Sequence, residues 1–429
     1  MFKTLKNLWL LKDLRKKILV TTVILLIVRA IDQIPLPGIQ TNQLQEFFSS
    51  NQLLGLLDIF SGGSLSRFSV GFMGVGPYIT ASIIMQLLTY IVPSLEELQK
   101  EGEFGKNKIN QYTRLLTVPM SIIQAFGLIS LLKNQGVITD LTPLILGLSI
   151  LVSTATSVFY MWLGENISES GIGNGISLII TINIIGGMPS QINNTISAIS
   201  AGGIIDSTML NGLFIFALTS MLTILFIVIM NDAIRKIPIS YARQSSFKTS
   251  GQVIDTYLPI KVNIAGVIPI IFALSFIVIP GILGRYLQNA KSEHLVNFSK
   301  TLVRIFDPNH VFYGIFYFIL VILFTYFYSS IVFKPKEVAE NLQKQGGFIP
   351  GIRPGKETEN FVAYVLNRIT LPGSIFLGII AISPFLVQKY THITTLVLGG
   401  TSILILVSVI LETASQVKAH LISRSYEVY

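Results

Sequence analysis

Ten apolar segments of about 20 residues run through the chain, and they restrict its fold more than any other feature. A helix rises about 1.5 Å per residue, so a segment of this length crosses the roughly 30 Å hydrocarbon core of a bilayer. In lipid every backbone amide needs an internal hydrogen-bond partner, which helices provide within one segment. We therefore predict an all-α membrane protein with ten transmembrane helices, near residues 18–36, 68–92, 113–132, 142–163, 174–190, 210–230, 263–283, 311–333, 369–388 and 394–412.

The distribution of charge supports these spans and orients the chain. Charged residues make up only 12% of the sequence and the mean hydropathy is +0.65, whereas a soluble domain carries about 25% charged residues. An alternating ten-span topology puts most of the 31 Lys and Arg residues on the side of the N terminus. By the positive-inside rule both termini are then cytoplasmic, and the net charge of +9 is mostly a topological signal.

Two short strings recur, once in each half of the chain. GVGPYI at residues 74–79 is matched by GVIPII at 266–271, and GISLII at 175–180 is matched by GTSILI at 400–405. Each copy lies at the start of an apolar segment, five spans from its partner. Because an odd offset reverses direction across the membrane, this pattern predicts two inverted-topology halves of five spans, residues 1–205 and 206–429, with the working site between them.

Catalytic and metal chemistry find no support in the sequence. There is no cysteine, and the four histidines lie in predicted loops or the tail without paired spacing. No Walker-type GxxxxGK[ST] string occurs, so nucleotide-driven work would be done by a partner. We expect no enzyme activity, no metal site and no cofactor.

The spans that carry the repeated strings lack an ionisable residue at mid-depth. Ion-coupled transporters place such residues near the bilayer midplane, so a hydrophobic constriction fits this chain better. A secondary transporter of a small solute also uses inverted repeats and is the alternative, but it needs a polar midplane site. A membrane scaffold without a pore would leave the repeated Gly-Pro strings without a reason.

One segment between the first two spans, LLGLLDIFSGGS at residues 53–64, is too short to span and too apolar for an ordinary loop. It is a candidate re-entrant element. Non-helical backbone survives at membrane depth only inside protein or a wet cavity, so residues 61–64 should face the bundle interior. The alternative is an amphipathic helix on the outer surface, against which the lack of Lys and Arg argues.

Seven strings, in chain order, resemble the SecY/Sec61-alpha family of protein-conducting channel subunits. They are FSGGSLSRFS, GPYITASIIMQLLT, KEGEFGKNKINQYTR, WLGENISESGIGNGIS, LPIKVNIAGVIPIIFA, FIPGIRPGKETE and GGTSILI. The resemblance covers the chain from about residue 15 to the C terminus. It implies a ten-helix clamshell around a central pore, closed outside by a plug helix and at mid-membrane by a ring of apolar side chains, which opens sideways to lipid between spans two and seven.

The same resemblance assigns residues to each part of the channel. The ring would consist of Val75, Ile79, Ile180, Ile271 and Ile405. The plug would occupy about residues 55–67, with Gly55, Leu56, Leu57, Asp58, Ile59, Phe60, Ser61, Gly62, Gly63, Ser64 and Arg67. The lateral gate would include Thr80, Gln86 and Asn263.

Two loops on the predicted cytoplasmic side, residues 231–262 and 334–368, are the expected docking surface for a SecA-like ATPase motor and the ribosome. The resemblance points to Arg353, on a Pro- and Gly-flanked turn, together with Lys248 and Lys356. Residues 245–251 carry only Lys248 where many family members have a denser basic cluster. The alternative is that these charges only set topology. Further implied partners are SecE-like and SecG-like small subunits, unfolded preproteins with signal sequences, and the lipid bilayer of a bacterial plasma (inner) membrane.

Overall fold

The computed structural model describes residues 12–36, 44, 47–48, 58, 61–138, 142–200, 207–241, 257–288, 292–307, 310–391 and 400–425. The helices of the first half are α1 (Lys12–Ile31), α2 (Gly76–Ile91), α3 (Pro93–Lys100), α4 (Glu103–Asn134), α5 (Pro143–Ser170) and α6 (Gly175–Ser200). Those of the second half are α7 (Ser207–Asp232), α8 (Ile268–Leu287), α9 (Glu293–Ile305), α10 (Val311–Val332), α11 (Pro335–Lys344), α12 (Lys356–Thr391) and α13 (Gly400–Ser425). Four short strands are β1 (Ile234–Pro238), β2 (Ser240–Tyr241), β3 (Tyr257–Lys261) and β4 (Gly347–Phe348).

Each of the ten predicted spans overlaps one helix of 16 to 36 residues: α1, α2, α4, α5, α6, α7, α8, α10, α12 and α13. Within the described ranges, six helices are long and apolar enough to cross a membrane on their own, or up to seven with the bent pair α2 and α3. Shorter apolar stretches lie in α6 and α8, at Gly175–Pro189 and Ile268–Ile277. The mostly helical membrane fold predicted from the sequence is thus confirmed.

Two helices begin later than their predicted spans, at residue 76 rather than 68 for α2 and at residue 268 rather than 263 for α8. Both follow a glycine in the left-handed region, Gly74 with φ 54° and Gly266 with φ 63°, which a helix cannot contain. Pro77 and Pro269 then lie in the first turn, where the missing amide hydrogen has no intrahelical partner to lose. The first pair of repeated strings therefore adopts the same local structure in both halves.

The two copies of the second repeated string also occupy equivalent positions in their helices. Gly175 is the first residue of α6, and α13 is described from Gly400 onward. The equivalence supports the inverted repeat that the strings predict.

A sharp bend separates α2 from α3. The two helix axes differ by 98°, and Val92 between them has extended backbone because it precedes Pro93. The chain therefore leaves the α2 direction at this point and enters α4 through a short helix with charged residues at Glu96 and Lys100.

The strands were not predicted, and they join the two loops expected to dock partners. β1 pairs antiparallel with β3 within the first loop, whereas β2 pairs with β4 of the second loop. Ile237, Ile260, Ile349 and Val362 form a small apolar core beneath them. The described parts of the two loops, residues 231–241, 257–262 and 334–368, are therefore one folded unit. Its strands of two to five residues are too short to leave a clear alternating pattern in the sequence.

The largest apolar cluster draws on helices from both halves, for example Ile179 and Tyr160 from the first and Ile270 and Leu404 from the second. A second cluster lies within the first half. It packs Phe68 and Phe72, and the segment after α1, against Ile129 and its neighbours on α4. This second cluster fixes the chain that leads from the predicted plug into α2.

Candidate functional site

The five residues predicted to form the ring all belong to the cluster that joins the two halves. Val75, Ile180 and Ile405 are buried, with 6%, 4% and 0% of their surface exposed. Ile79 and Ile271 are partly buried and pack against the same cluster. The structure therefore brings together apolar side chains from α2, α6, α8 and α13, and from the residue that precedes α2.

Sequence position relates the four isoleucines to one another. Ile79, Ile271, Ile180 and Ile405 are each the sixth residue of their repeated string. The inverted repeat thus supplies one isoleucine from each of the four helices that carry it.

Two further members of this cluster were not predicted as ring residues. Val267 is the repeat partner of Val75 and is buried. Ile184 follows Ile180 by four residues on α6 and is fully buried, the same helical spacing as Val75 and Ile79. The repeat and the four-residue spacing are the signals that could have found them.

The described part of the predicted plug lies against α6. A side-chain Cβ at Gly62 would be 3.0 Å from the Cα and carbonyl oxygen of Asn183. Asn183 is about one helical turn from Ile180 on α6, and Ser61 and Ser64 are buried. Five predicted plug residues lie outside the described residues: Gly55, Leu56, Leu57, Ile59 and Phe60.

Local hydrogen bonds shape this segment into consecutive turns. The carbonyl oxygen of Asp58 accepts from the Gly63 amide at 2.8 Å, and its Oδ1 accepts from the Ser66 amide at 2.8 Å. The Ser64 hydroxyl donates to the Ser61 carbonyl at 2.7 Å, and Arg67 donates to the side chain of Gln33. Buried irregular backbone is stable only when its polar groups are paired, and these bonds do so locally.

Arg29, near the end of α1, contacts the same segment and was not predicted as a site residue. Its Nη1 donates to the Gly62 carbonyl at 3.1 Å, and its Nη2 donates to the Gly186 carbonyl on α6 at 2.6 Å. Asp32, one turn further, accepts a hydrogen bond from the Tyr160 hydroxyl at 2.7 Å. An arginine inside an apolar span is itself a signal of function, and it could have marked this residue.

The predicted gate residues on α2 direct their hydrogen bonds into the first half. The Thr80 hydroxyl donates to the Gly76 carbonyl and accepts from Gln124 on α4, both at 3.1 Å. Gln86 donates to Ser82 on its own helix at 3.2 Å. Asn263 is buried just before α8.

A contact between the halves that was not predicted lies further along α2. The ring of Tyr90 meets the ring of Phe327 on α10 edge to face, with centroids 5.8 Å apart. A single aromatic residue near a helix end gives no sequence signal of its partner in the other half.

The proposed docking turn is present and exposed. Arg353 lies between Gly351, φ 81°, and Gly355, φ 97°, so both flanking positions require the conformational freedom of glycine. The Arg353 carbonyl accepts from the Thr358 hydroxyl at 2.9 Å, and the residue is exposed. Lys356 is exposed at the start of α12. Lys248 lies outside the described residues.

Known proteins share both the sequence and the fold described above. The family model described as SecY matches residues 69–414. The chain belongs to the SecY family. It is 39% identical over 434 residues to the protein translocase subunit SecY of Mycobacterium bovis, which covers 97% of this chain and 96% of that protein. The corresponding SecY subunit of Halalkalibacterium halodurans is 40% identical over 438 residues, covering 100% and 99%.

Solved structures of SecY and Sec61 channels have the same fold. One described as "The structure of a protein conducting channel" has a TM-score of 0.65 at 20% identity and covers 95% of this chain and 93% of its own. Sec61 in the canine ribosome-channel complex has a TM-score of 0.62 at 17% identity, with the same coverage of both chains. The family membership expected from the seven strings is confirmed, and the multi-pass channel architecture follows from it.

Proposed function

We propose that this chain is the channel subunit of a protein translocase. Unfolded polypeptides would cross the membrane through it, and apolar segments would leave it sideways into lipid. The observation that carries the proposal is the single apolar cluster that contains Val75, Ile180 and Ile405 and against which Ile79 and Ile271 pack. Gly62 packs against Asn183 on α6, about one helical turn from Ile180. The relatives named protein translocase subunit SecY support it.

An apolar collar closes such a channel to ions. A narrow ring of aliphatic side chains excludes water, and an ion would have to leave its hydration shell to pass. The same side chains form no specific hydrogen bonds, so a polypeptide of any sequence can replace their mutual contacts. Residues 55–67, the plug, would block the outer end until a chain enters.

Lateral release would use the contact of α2 with α8 and α10. The ring contact of Tyr90 with Phe327 is held by dispersion and ring electrostatics, with no directional hydrogen bond between the two side chains. An apolar signal sequence can replace such contacts with its own, and lipid can do the same.

Direction would come from partners on the cytoplasmic side. Both termini would be cytoplasmic in a bacterial plasma membrane, with SecE-like and SecG-like subunits alongside. The folded unit of residues 231–262 and 334–368 would bind a SecA-like motor or the ribosome through exposed cations such as Arg353. The channel subunit itself would carry out no catalysis.

Translocation by the purified complex tests the function. Proteoliposomes containing the complex and supplied with a SecA-like ATPase should protect a preprotein from added protease, only when its signal sequence is present. Uptake of a small solute driven by an ion gradient, with no polypeptide protected, would instead favour the secondary transporter.

Charge reversal at the docking turn tests the partner surface. Arg353→Glu should weaken motor binding by about tenfold, because a rim charge of the wrong sign repels its partner. Arg353→Lys keeps the charge and should retain most binding. Lys106→Glu makes the same reversal at another exposed position and serves as the control. If motor binding and translocation are unchanged in Arg353→Glu, the docking assignment is wrong.

A further inference from the structure

Arg29 joins three separate parts of the first half. The residue lies on α1, and its two terminal nitrogens bind carbonyl oxygens of Gly62 in the predicted plug and Gly186 on α6. Hydrogen bonds from a charged donor are shorter and stronger than neutral ones, and two of them hold the plug segment against α6.

Both carbonyl partners belong to glycines, and the guanidinium occupies space that a side chain at either position would need. A Cβ at Gly186 would lie 2.3 Å from Arg29 Cζ, far inside contact distance. A Cβ at Gly62 would lie 3.0 Å from Arg29 Nη1, and its φ of 73° is strained for other residues. A side chain at Gly186 would therefore displace the arginine.

We propose that Arg29 is a positioning residue that holds the plug closed and releases it when a polypeptide enters. The proposal rests on the channel function proposed above. Every incoming chain carries backbone carbonyl oxygens, and one of these can replace that of Gly62. The partly buried positive charge then keeps a partner throughout opening, whatever the sequence of the chain, so its desolvation does not oppose release.

The backbone that follows the predicted plug is held in place, which supports a movement of the plug segment without the chain that leads into α2. On its C-terminal side the chain is fixed to the end of α1: the Val70 amide donates to the Ile34 carbonyl at 2.8 Å and the Leu36 amide donates to the Phe68 carbonyl at 3.0 Å. Phe68 has φ 47°, a conformation that costs free energy in a bulky residue, and it is held by stacking on Phe72. Residues 63–67 thus lie between the strained Phe68 and the Arg29 contact at Gly62.

Two neighbouring glycines on α6 give a matched pair of variants. Gly186→Ala places a methyl group on the guanidinium and should displace it, although the arginine is still present. Gly187→Ala makes the same change one residue along, where the Cβ would be 3.8 Å from Gly62, an ordinary contact. In planar bilayers the complex with Gly186→Ala or Arg29→Gln should show about tenfold more resting conductance than the parent. Gly187→Ala should match the parent, and Arg29→Lys should lie between.

Deletion of residues 55–64 separates an effect on the plug from an effect on helix packing. In the deleted channel Arg29→Gln should add no further conductance, because the contact it removes is already gone. Additional leak in that background would mean that Arg29 stabilises the helices around the ring, and parent-like conductance of both Arg29→Gln and Gly186→Ala would equally overturn the proposal. If the deletion does not raise the resting conductance, residues 55–64 do not act as a plug and this proposal is wrong. Preprotein protection in proteoliposomes then still tests the channel function independently.

Discussion

The two halves meet along two seams of different chemistry. At the back seam, α6 with α13, the Gly173 amide donates to Oε1 of Gln416 at 3.0 Å. At the front seam, α2 with α8 and α10, the rings of Tyr90 and Phe327 meet at 5.8 Å. A hydrogen bond to the main chain fixes distance and direction, whereas an aromatic contact can be exchanged for lipid. The comparison predicts a hinge at the back and an opening at the front.

Hydrogen bonds within the first half explain which helices would move together. Thr80 on α2 is bonded to Gln124 on α4, and Arg114 on α4 forms an ion pair with Glu165 on α5 at 2.8 Å. Because α2 is tied to its own half, opening the front seam separates it from α8 and α10 and leaves α2, α4 and α5 as one body.

The ring spans both seams, so its loss should have the largest effect. Replacing Ile79, Ile180, Ile271 and Ile405 with Asn should make the resting membrane leak ions, because amide side chains offer hydrogen bonds to water and ions. The resting conductance should rise tenfold or more, which corresponds to a decrease of about 1.4 kcal/mol in the barrier to ion passage. The same four positions changed to Val keep the ring apolar and should remain closed. If the folded Asn variant is as tight as the parent, even without residues 55–64, these residues do not line the pore.

Covalent closure of each seam should have the next largest effect. The chain contains no cysteine, so introduced pairs are free of competing thiols. A disulfide needs Cα atoms within about 7 Å, and a scan of Thr80 against residues 272–276, together with the pair Tyr90 and Phe327, should find such positions. Oxidised front pairs should stop preprotein transport, while pairs between α6 and α13 should leave most of it. Equal inhibition by front and back pairs would contradict the hinge.

The aromatic contact should have a moderate effect on opening. An aromatic pair contributes about 0.5–1.5 kcal/mol, so Tyr90→Ala or Phe327→Ala should favour the open channel by roughly 2- to 12-fold. The double variant should show little more than either single one, because both remove the same contact. Tyr90→Phe keeps the ring and is the control. Release of a weakly apolar segment into lipid measures the change, and fully additive effects would mean that the two rings do not act together.

The back seam should give the smallest change in transport. Gln416→Ala removes one hydrogen bond, which is worth about 1 kcal/mol, and should lower the melting temperature by about 1 °C while the resting conductance stays at the parent level. Gln416→Glu retains an acceptor oxygen and should stay close to the parent. A rise in conductance as large as that of Tyr90→Ala would place the opening at the back seam as well.

The sequence by itself determined the membrane class and the approximate positions of the helices, although it placed the starts of α2 and α8 too early, at residues 68 and 263 rather than 76 and 268. A membrane span is recognised because the length of an apolar segment can be compared with the known thickness of a bilayer. Gly74 with Pro77, and Gly266 with Pro269, set the start of their helices through their own backbone conformations. The resemblance to the SecY family then named the ring, which the structure gathers into one cluster. These features depend on local chemistry or on an ordered set of strings.

Only the tertiary structure decided which residues meet across the molecule. Arg29 binds carbonyl oxygens 33 and 157 residues away, Tyr90 meets Phe327, and β2 pairs with β4 of a distant loop. The physical reason is that a carbonyl oxygen belongs to every residue, and an aromatic side chain is common in any apolar span. Neither leaves a pattern that identifies its partner, so the contacts of the predicted plug and of the front seam depend on how the helices pack.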